Sequence, residues 1–323
     1  MFRSGSELSP CVASPVRPPI LVIGGTGHVG ASLCGYLAER GHQVIAASRF
    51  GRHDFDSARI KWVEFDVKVV ESAWFLPAAT TAVICPWVED VATGTSDRWL
   101  ERLLPRLASV GVTSVLYIST MWVYGSRPEG RLTEESPTNP AAGYGVSHLE
   151  NEMVVESMAG PLGLDAVIVR LANLVGGDPF FEYRNKISFG HELMTMAVAN
   201  QSIVLRSPKS TPRDIITRSL FHHDCGVLLD CPKVPGRVEI FNLGSGQMTS
   251  MGEFAKAIAA EAEKLHGRPV SLEFPRKTER RTKFLLDTAK VRALAGRHSL
   301  DLNFELERVR DDVVRRLNLG LEG

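Results

Sequence analysis

From residue 20 onward the apolar positions fall into two alternating rhythms. Ile20-Leu21-Val22-Ile23 is a continuous apolar run with β-branched residues that stops at Gly24 and Gly25, the pattern of a strand buried on both faces. Val29, Leu33, Tyr36 and Leu37 then recur at the spacing of one helix face, and Gly41 stands where a left-handed C-terminal cap belongs. The alternation continues with strands expected over 43–48, 60–65, 81–85, 113–119 and 164–169, and helices near 69–76, 96–109 and 144–158. Single helices between apolar strands predict an α/β, Rossmann-type doubly wound parallel sheet with right-handed crossovers.

Beyond about residue 175 the rhythm loosens, with helical spacing near 192–199, 251–265 and 306–317 and short strands around Ile203 and 239–242. The expected organisation is a flexible leader over 1–18, a Rossmann-type domain over 19–175, and a smaller lobe over 176–323 whose chain segments return in part to the Rossmann domain. The N-terminus carries Arg3 and Glu7 and then Pro10, Pro15, Pro18 and Pro19, with no apolar signal-peptide core between them. No apolar run approaches the roughly 18 to 20 residues of a membrane-spanning helix.

Charge and cysteine content narrow the function classes. Lys+Arg and Asp+Glu balance at 37 each, so no net field draws the chain to nucleic acid or to an anionic membrane. The five cysteines form no CxxC pair and no Cys/His ligand spacing, which predicts reduced thiols, a cytoplasmic protein and no metal site.

The strongest local signal is Gly24-Gly25-Thr26-Gly27-His28-Val29-Gly30, set between the first strand and the first helix. Missing side chains permit a tight turn and close backbone approach to a pyrophosphate, and the helix N-terminus favours the anion. Gly24, Thr26, Gly27, His28, Val29 and Gly30 are therefore the expected diphosphate-binding residues of a dinucleotide. The second strand ends in Ser48 and Arg49 rather than in an acid. A guanidinium there suits a 2′-phosphate and favours NADP(H) over NAD(H); the alternative is a solvated surface arginine. Arg52 and His53 are either helpers or plain loop residues. Asp66, followed by Val67, stands where a carboxylate can reach the adenine amino group or cap the following segment.

Several further segments stand in order: Tyr117-Ile118-Ser119-Thr120-Met121-Trp122-Val123-Tyr124-Gly125, Tyr144-Gly145-Val146-Ser147-His148, Arg170-Leu171-Ala172-Asn173-Leu174-Val175-Gly176, Phe221-His222-His223-Asp224 and Phe241-Asn242-Leu243-Gly244-Ser245-Gly246. Together with the glycine loop they resemble the extended short-chain dehydrogenase/reductases, the NAD-dependent epimerase/dehydratase-like family, over about residues 20 to 310. The resemblance implies that Thr120 holds the substrate oxygen and that Tyr144 exchanges the proton during hydride transfer. A free phenol has a pKa near 10 and needs a neighbouring cation to act near pH 7. The family lysine four residues on is His148 here, and an imidazole is mostly neutral at that pH. Three readings stand open: an enzyme with altered pH dependence, an enzyme that protonates its product by another group, and a site that binds NADP(H) without turnover.

The resemblance also places Cys85, Pro86 and Trp87 along the cofactor, where the family carries small residues, with Trp87 either over the substrate or in the core. Met121 and Trp122 replace the acid pair of sugar-nucleotide dehydratases, which disfavours dehydration. Asn173, Arg213 and Arg281 (or Arg280) correspond to substrate-binding positions, although the charged run from 276 to 281 also reads as a solvated loop. His222 and His223 imply a structural turn capped by Asp224 rather than catalysis. The expected function is NADP(H)-dependent reduction of a keto group on a nucleotide-linked sugar or secondary metabolite. The alternatives are an NAD-dependent nucleotide-sugar 4-epimerase and a non-catalytic NADP(H)-binding regulatory protein. The family further implies a homodimer packed through the helices near 96–109 and 144–158.

Overall fold

The computed structural model describes residues 18–49, 58–67, 69, 79–85, 99–125, 128–141, 143–183, 187–275, 283–296 and 301–320. The expected leader, apart from Pro18, and the helix near 69–76, apart from Val69, lie outside them. Along the chain run β1 (Ile20–Ile23), α1 (His28–Glu39), β2 (Val44–Ser48), β3 (Ile60–Glu64), β4 (Thr81–Ile84), α2 (Trp99–Ser109) and β5 (Ser114–Thr120). A short 3-10 turn (Met121–Tyr124) precedes β6 (Gly130–Leu132), α3 (Gly143–Leu162), β7 (Asp165–Leu171) and β8 (Asn173–Val175). Then follow α4 (Phe189–Asn200), β9 (Ser202–Val204), β10 (Pro212–Thr217), α5 (Arg218–Asp230), β11 (Val238–Leu243) and β12 (Met248–Ser250). The chain continues through α6 (Met251–His266), β13 (Ser271–Glu273), β14 (Phe284–Leu286), α7 (Ala289–Ala295) and α8 (Leu302–Asn318).

Seven parallel strands form the main sheet in the order β11-β7-β5-β4-β1-β2-β3. The strand order reverses between β1 and β4, the crevice where open α/β sheets bind ligands. Alternate residues of each strand feed two cores. Ile20, Val22, Val83, Leu116 and Ile118 pack with Leu33 and Leu37 of α1 and Phe221 of α5. Leu21, Ile23, Ile84, Val115 and Tyr117 pack with α2 and α3 on the other face. In α2 the fully buried Leu100, Leu103, Leu104 and Leu107 make one helical stripe, each contributing about 2 kcal/mol by burial. A third core joins α4, α6 and α8, and smaller sheets pair β12-β10-β8, β13-β9 and β14-β6.

Helix ends follow side-chain chemistry. Ser250 and Glu253 close a capping box on α6, and Gly267 ends it at φ +62. Gly41 has φ +87, the left-handed conformation that its position after α1 predicts. The strand expected around 239–242 joins the main sheet at its edge, pairing Val238 to Leu243 with Ala166 to Leu171. One segment differs from expectation. Asp224 lies inside α5 and is not its N-cap: Thr217 accepts the Leu220 amide and starts the helix two turns earlier.

Candidate active site

The glycine turn sits at the sheet's switch point. Gly24 has φ +81, and a Cβ on it would lie 2.2 Å from the Cys85 carbonyl oxygen; one on Gly30 would lie 2.3 Å from the Gly24 carbonyl. The turn thus packs β1, β4 and α1 at distances that only hydrogen permits. Helix α1 starts at Gly27 with no side-chain cap and no acidic residue in its first turn. Such a start fits the diphosphate of a dinucleotide, which would satisfy amides that nothing in the helix caps. Thr26 and Val29 are half-buried in the same turn.

His28 points its Nδ1 at Asp178 (2.8 Å) and takes a hydrogen bond on Nε2 from Arg218 (3.1 Å). Burial, and then the Arg218 charge, push the imidazole down to about 4. It therefore anchors the turn as a neutral ring and carries no charge toward a phosphate. Arg218 also donates to the His28 carbonyl (3.0 Å). Neither Asp178 nor Arg218 is legible as a site residue in the sequence, because the contacts span 150 and 190 positions.

Ser48 ends β2, buried and paired in register with Glu64, and Arg49 follows it on the surface. Asp66 and Val67 are half-buried just past β3, and the Asp66 carbonyl accepts the Val69 amide at 3.0 Å. Cys85 is buried under Gly24, and desolvation pushes its thiol up to about 12. Cys34 and Cys225 are raised by burial too, so these three thiols stay protonated. Pro86, Trp87 and Arg281, with Arg52, His53 and Arg280, lie outside the described residues.

Helix α3 presents Tyr144, His148, Asn151, Glu152 and Val155 at helical spacing, and β5 turns Tyr117 and Ser119 toward them by strand alternation. Thr120 ends β5 almost fully buried, its hydroxyl accepts the Trp122 amide at 3.4 Å, and it faces the Tyr144 phenol. Tyr144 keeps 44% of its surface exposed, yet desolvation pushes its phenol above the ordinary value, with the Thr120 hydroxyl acting in the opposite direction. His148 is 3% exposed and lies edge-on to the Tyr144 ring at 4.7 Å between centroids. Burial pushes it down to about 4, so the ring is neutral at pH 7 and gives Tyr144 no cationic support.

A buried polar cluster fixes this platform from below. Arg170 on β7 donates to Glu152 at 2.7 and 3.1 Å, to the Tyr124 hydroxyl at 3.1 Å and to the Glu134 carbonyl at 3.0 Å. Ser119 also donates to Glu152, and Tyr124 donates to Asn242 at 2.7 Å. The expected substrate-side residues Met121, Trp122, Asn173 and Arg213 come together beside Thr120. Asn173 donates to the Asp214 carbonyl at 2.8 Å and lies 3.9 Å from the Met121 sulfur. The Arg213 guanidinium stands 6.0 Å from the Trp122 ring centre.

His222 is built into the fold, bonded to Ser32 at 3.1 Å and stacked on Tyr36. Among the described residues no cluster of His, Cys, Asp or Glu could hold a metal ion, and no helix is long and apolar enough to cross a membrane.

The chain matches the RmlD substrate binding domain family over residues 18–314. It is 24% identical over 279 residues to the UDP-glucose 4-epimerase of Corynebacterium glutamicum, covering 79% of this chain and 82% of that one. It is 26% identical over 204 residues to the dTDP-6-deoxy-L-talose 4-dehydrogenase (NAD(P)(+)) of Kitasatospora kifunensis, covering 58% of each. Among solved structures, MoeE5 in complex with UDP-glucose and NAD superposes with a TM-score of 0.76 at 19% identity, over 93% of this chain and 99% of that one. The seven-stranded sheet, the glycine turn and a family match spanning nearly the whole chain together make it a member of the extended short-chain dehydrogenase/reductases, the NAD(P)-dependent epimerase/dehydratase family.

Proposed function

We propose that this protein works on a hydroxyl- or keto-bearing ring carbon of a nucleotide-diphosphate-linked sugar, with 4-epimerisation as the first reading. The observation that carries it is the placement of Thr120 at the end of β5 and of Tyr144 at the start of α3, the helix packed on β5, on the side of the sheet where the glycine turn opens. Relatives named as UDP-glucose 4-epimerases support the nucleotide sugar. The bound coenzyme supplies reversible hydride exchange. Thr120 holds the reacting oxygen, Tyr144 carries its proton, and His148 orients Tyr144 or the coenzyme ribose. Met121, Trp122, Asn173 and Arg213 line the substrate side, where a guanidinium suits a diphosphate.

The second reading is reduction of a keto sugar, and a specific observation favours it. With His148 neutral and Tyr144 raised, the phenol is a ready proton donor and a poor base. Arg49, with no acid at the end of β2, supports NADP(H) as the coenzyme, although MoeE5 was solved with NAD. In this reading 19–175 binds the coenzyme and 176–323 mainly the substrate, in a cytoplasmic homodimer. Exposed Val146 and Met153 on the outer face of α3 support the dimer.

The test is to incubate the purified protein with UDP-glucose, UDP-galactose and UDP-glucuronic acid, and separately with UDP-4-keto sugars and NADPH. Epimer formation without net coenzyme consumption supports the first reading, and NADPH oxidation the second. Either activity should fall at least about 100-fold in Tyr144→Phe. Coenzyme binding by calorimetry with neither activity identifies a non-catalytic binder, and no heat from NADH or NADPH overturns the whole proposal.

A further inference from the structure

The mechanism so far leaves Tyr117 unused. It is fully buried on β5, three residues before Thr120, and its hydroxyl lies 3.2 Å from His148 Nδ1. Among the described residues no other group stands at hydrogen-bond distance from that hydroxyl. A phenol has one proton to give. Were Nδ1 to donate to the phenol, the phenol's own proton would be buried without an acceptor, so that proton goes to His148 Nδ1. A neutral imidazole that accepts on Nδ1 carries its own proton on Nε2. Nε2 has no hydrogen-bond partner among the described residues, and it is the nitrogen left for a ligand.

We infer that Tyr117 is a positioning residue: it holds His148 in the Nε2–H tautomer, so that the imidazole offers the site a single, fixed hydrogen-bond donor. The family lysine supplies both a donor and a charge. His148 replaces the donor and omits the charge, and Tyr117 is what makes the replacement directional. Without it the ring is free to exchange tautomers and to present an acceptor where a hydroxyl of coenzyme or substrate needs a donor. This inference rests on the proposed reading for its consequence in turnover, but the tautomer itself does not.

Nitrogen-15 NMR of the full-length protein labelled at histidine, with the His148 signals assigned by their loss in His148→Gln, decides the tautomer without any assay of activity. The expected result is a protonated Nε2 and an unprotonated Nδ1 in the parent, and a shift toward the averaged signature of exchanging tautomers in Tyr117→Phe, which keeps the buried ring. A protonated Nδ1 in the parent, or an unchanged signature in Tyr117→Phe, overturns the inference whether or not the protein turns over a nucleotide sugar. Where turnover is found, Tyr117→Phe should lower kcat about 10-fold, the worth of one hydrogen bond. In the His148→Lys background the same change should lose most of its effect, because an ammonium has no tautomer to fix. Equal losses in both backgrounds would show that Tyr117 acts only through the core, and would overturn it too.

Discussion

An ammonium four residues after Tyr144 would carry a full charge beside the phenol, whereas the imidazole of His148, pushed down to about 4 by burial, carries none at neutral pH. Tyr144 is itself raised by desolvation. The two reaction directions therefore separate with pH. Donating a proton to a developing alkoxide needs the phenol, which persists through neutral and mildly alkaline pH. Taking a proton from a sugar hydroxyl needs the phenolate, which becomes abundant only at higher pH. His148→Lys should move the alkaline rise of the hydroxyl-oxidising direction down by about one to three pH units, the shift an adjacent opposite charge produces. Rate profiles in both directions across pH 6 to 10, for parent and variant, measure this. An unmoved profile would mean that Tyr144 is not the group titrating.

Element positions depend on the cluster that ties α3 to β5 and β7. The Arg170 side chain is 6% exposed and that of Glu152 1%, so neither charge has solvent to fall back on. Glu152→Ala leaves Arg170 buried with a hydroxyl and a carbonyl as acceptors, and should cost about 3 to 5 kcal/mol. Urea unfolding should show a lower midpoint at unchanged slope, and a loss below 1 kcal/mol would mean that the pair is solvated. The strands flanking this cluster are legible in the sequence because burial on both faces writes them as apolar runs, and each lies within two residues of its expected ends. The cluster is not legible, since Glu152 and Arg170 read as ordinary charges until the fold brings their segments together. The same holds for Tyr117, which passes for a core aromatic. The three-residue strands β6, β8, β12 and β14 are too short to carry a period. The strand at 238–243 is recognisable, but its place at the edge of the main sheet is set by pairing with β7, which local pattern does not encode. At the site, Thr120, Tyr144 and His148 are singled out by the family resemblance, and the fold lays the His148 ring against that of Tyr144. Asp178 and Arg218, which hold the glycine turn through His28, are not.

Across the molecule, α8 of the third core is tied by buried polar groups to the segments that flank the glycine turn. Asp312 on α8 accepts the Asp178 amide at 2.6 Å and faces His191 Nε2 at 3.2 Å, and Glu305 on the same helix accepts the Ser219 amide at 2.8 Å. Asp178 in turn holds His28, so acid that protonates buried rings acts on the joint as well as on the cores. His28 and His148 are lowered to about 4 and His222 to about 3, burial being the largest cause for each. Their folded-state values lie below the 6.5 of an unfolded chain, so the unfolded state takes up protons first as pH falls. Their stabilising contribution is complete above about pH 6.5 and is lost progressively toward pH 4. For His148 alone this amounts to up to about 3 kcal/mol, at 1.36 kcal/mol per unit. Asp214 works the other way. Desolvation raises its carboxyl to about 6 from 3.8, so its contribution is complete below about pH 4 and is lost as pH rises through 6. Glu134, also raised by desolvation, acts in the same sense as Asp214; three histidines outweigh these two carboxyls, and the folded protein should lose stability on acidification. Calorimetric scans at pH 7.5 and pH 5 should show a Tm several degrees lower at pH 5, and His222→Gln should reduce that difference. A Tm that holds or rises at pH 5 would mean that the two carboxyls dominate, or that the three rings find water when they charge.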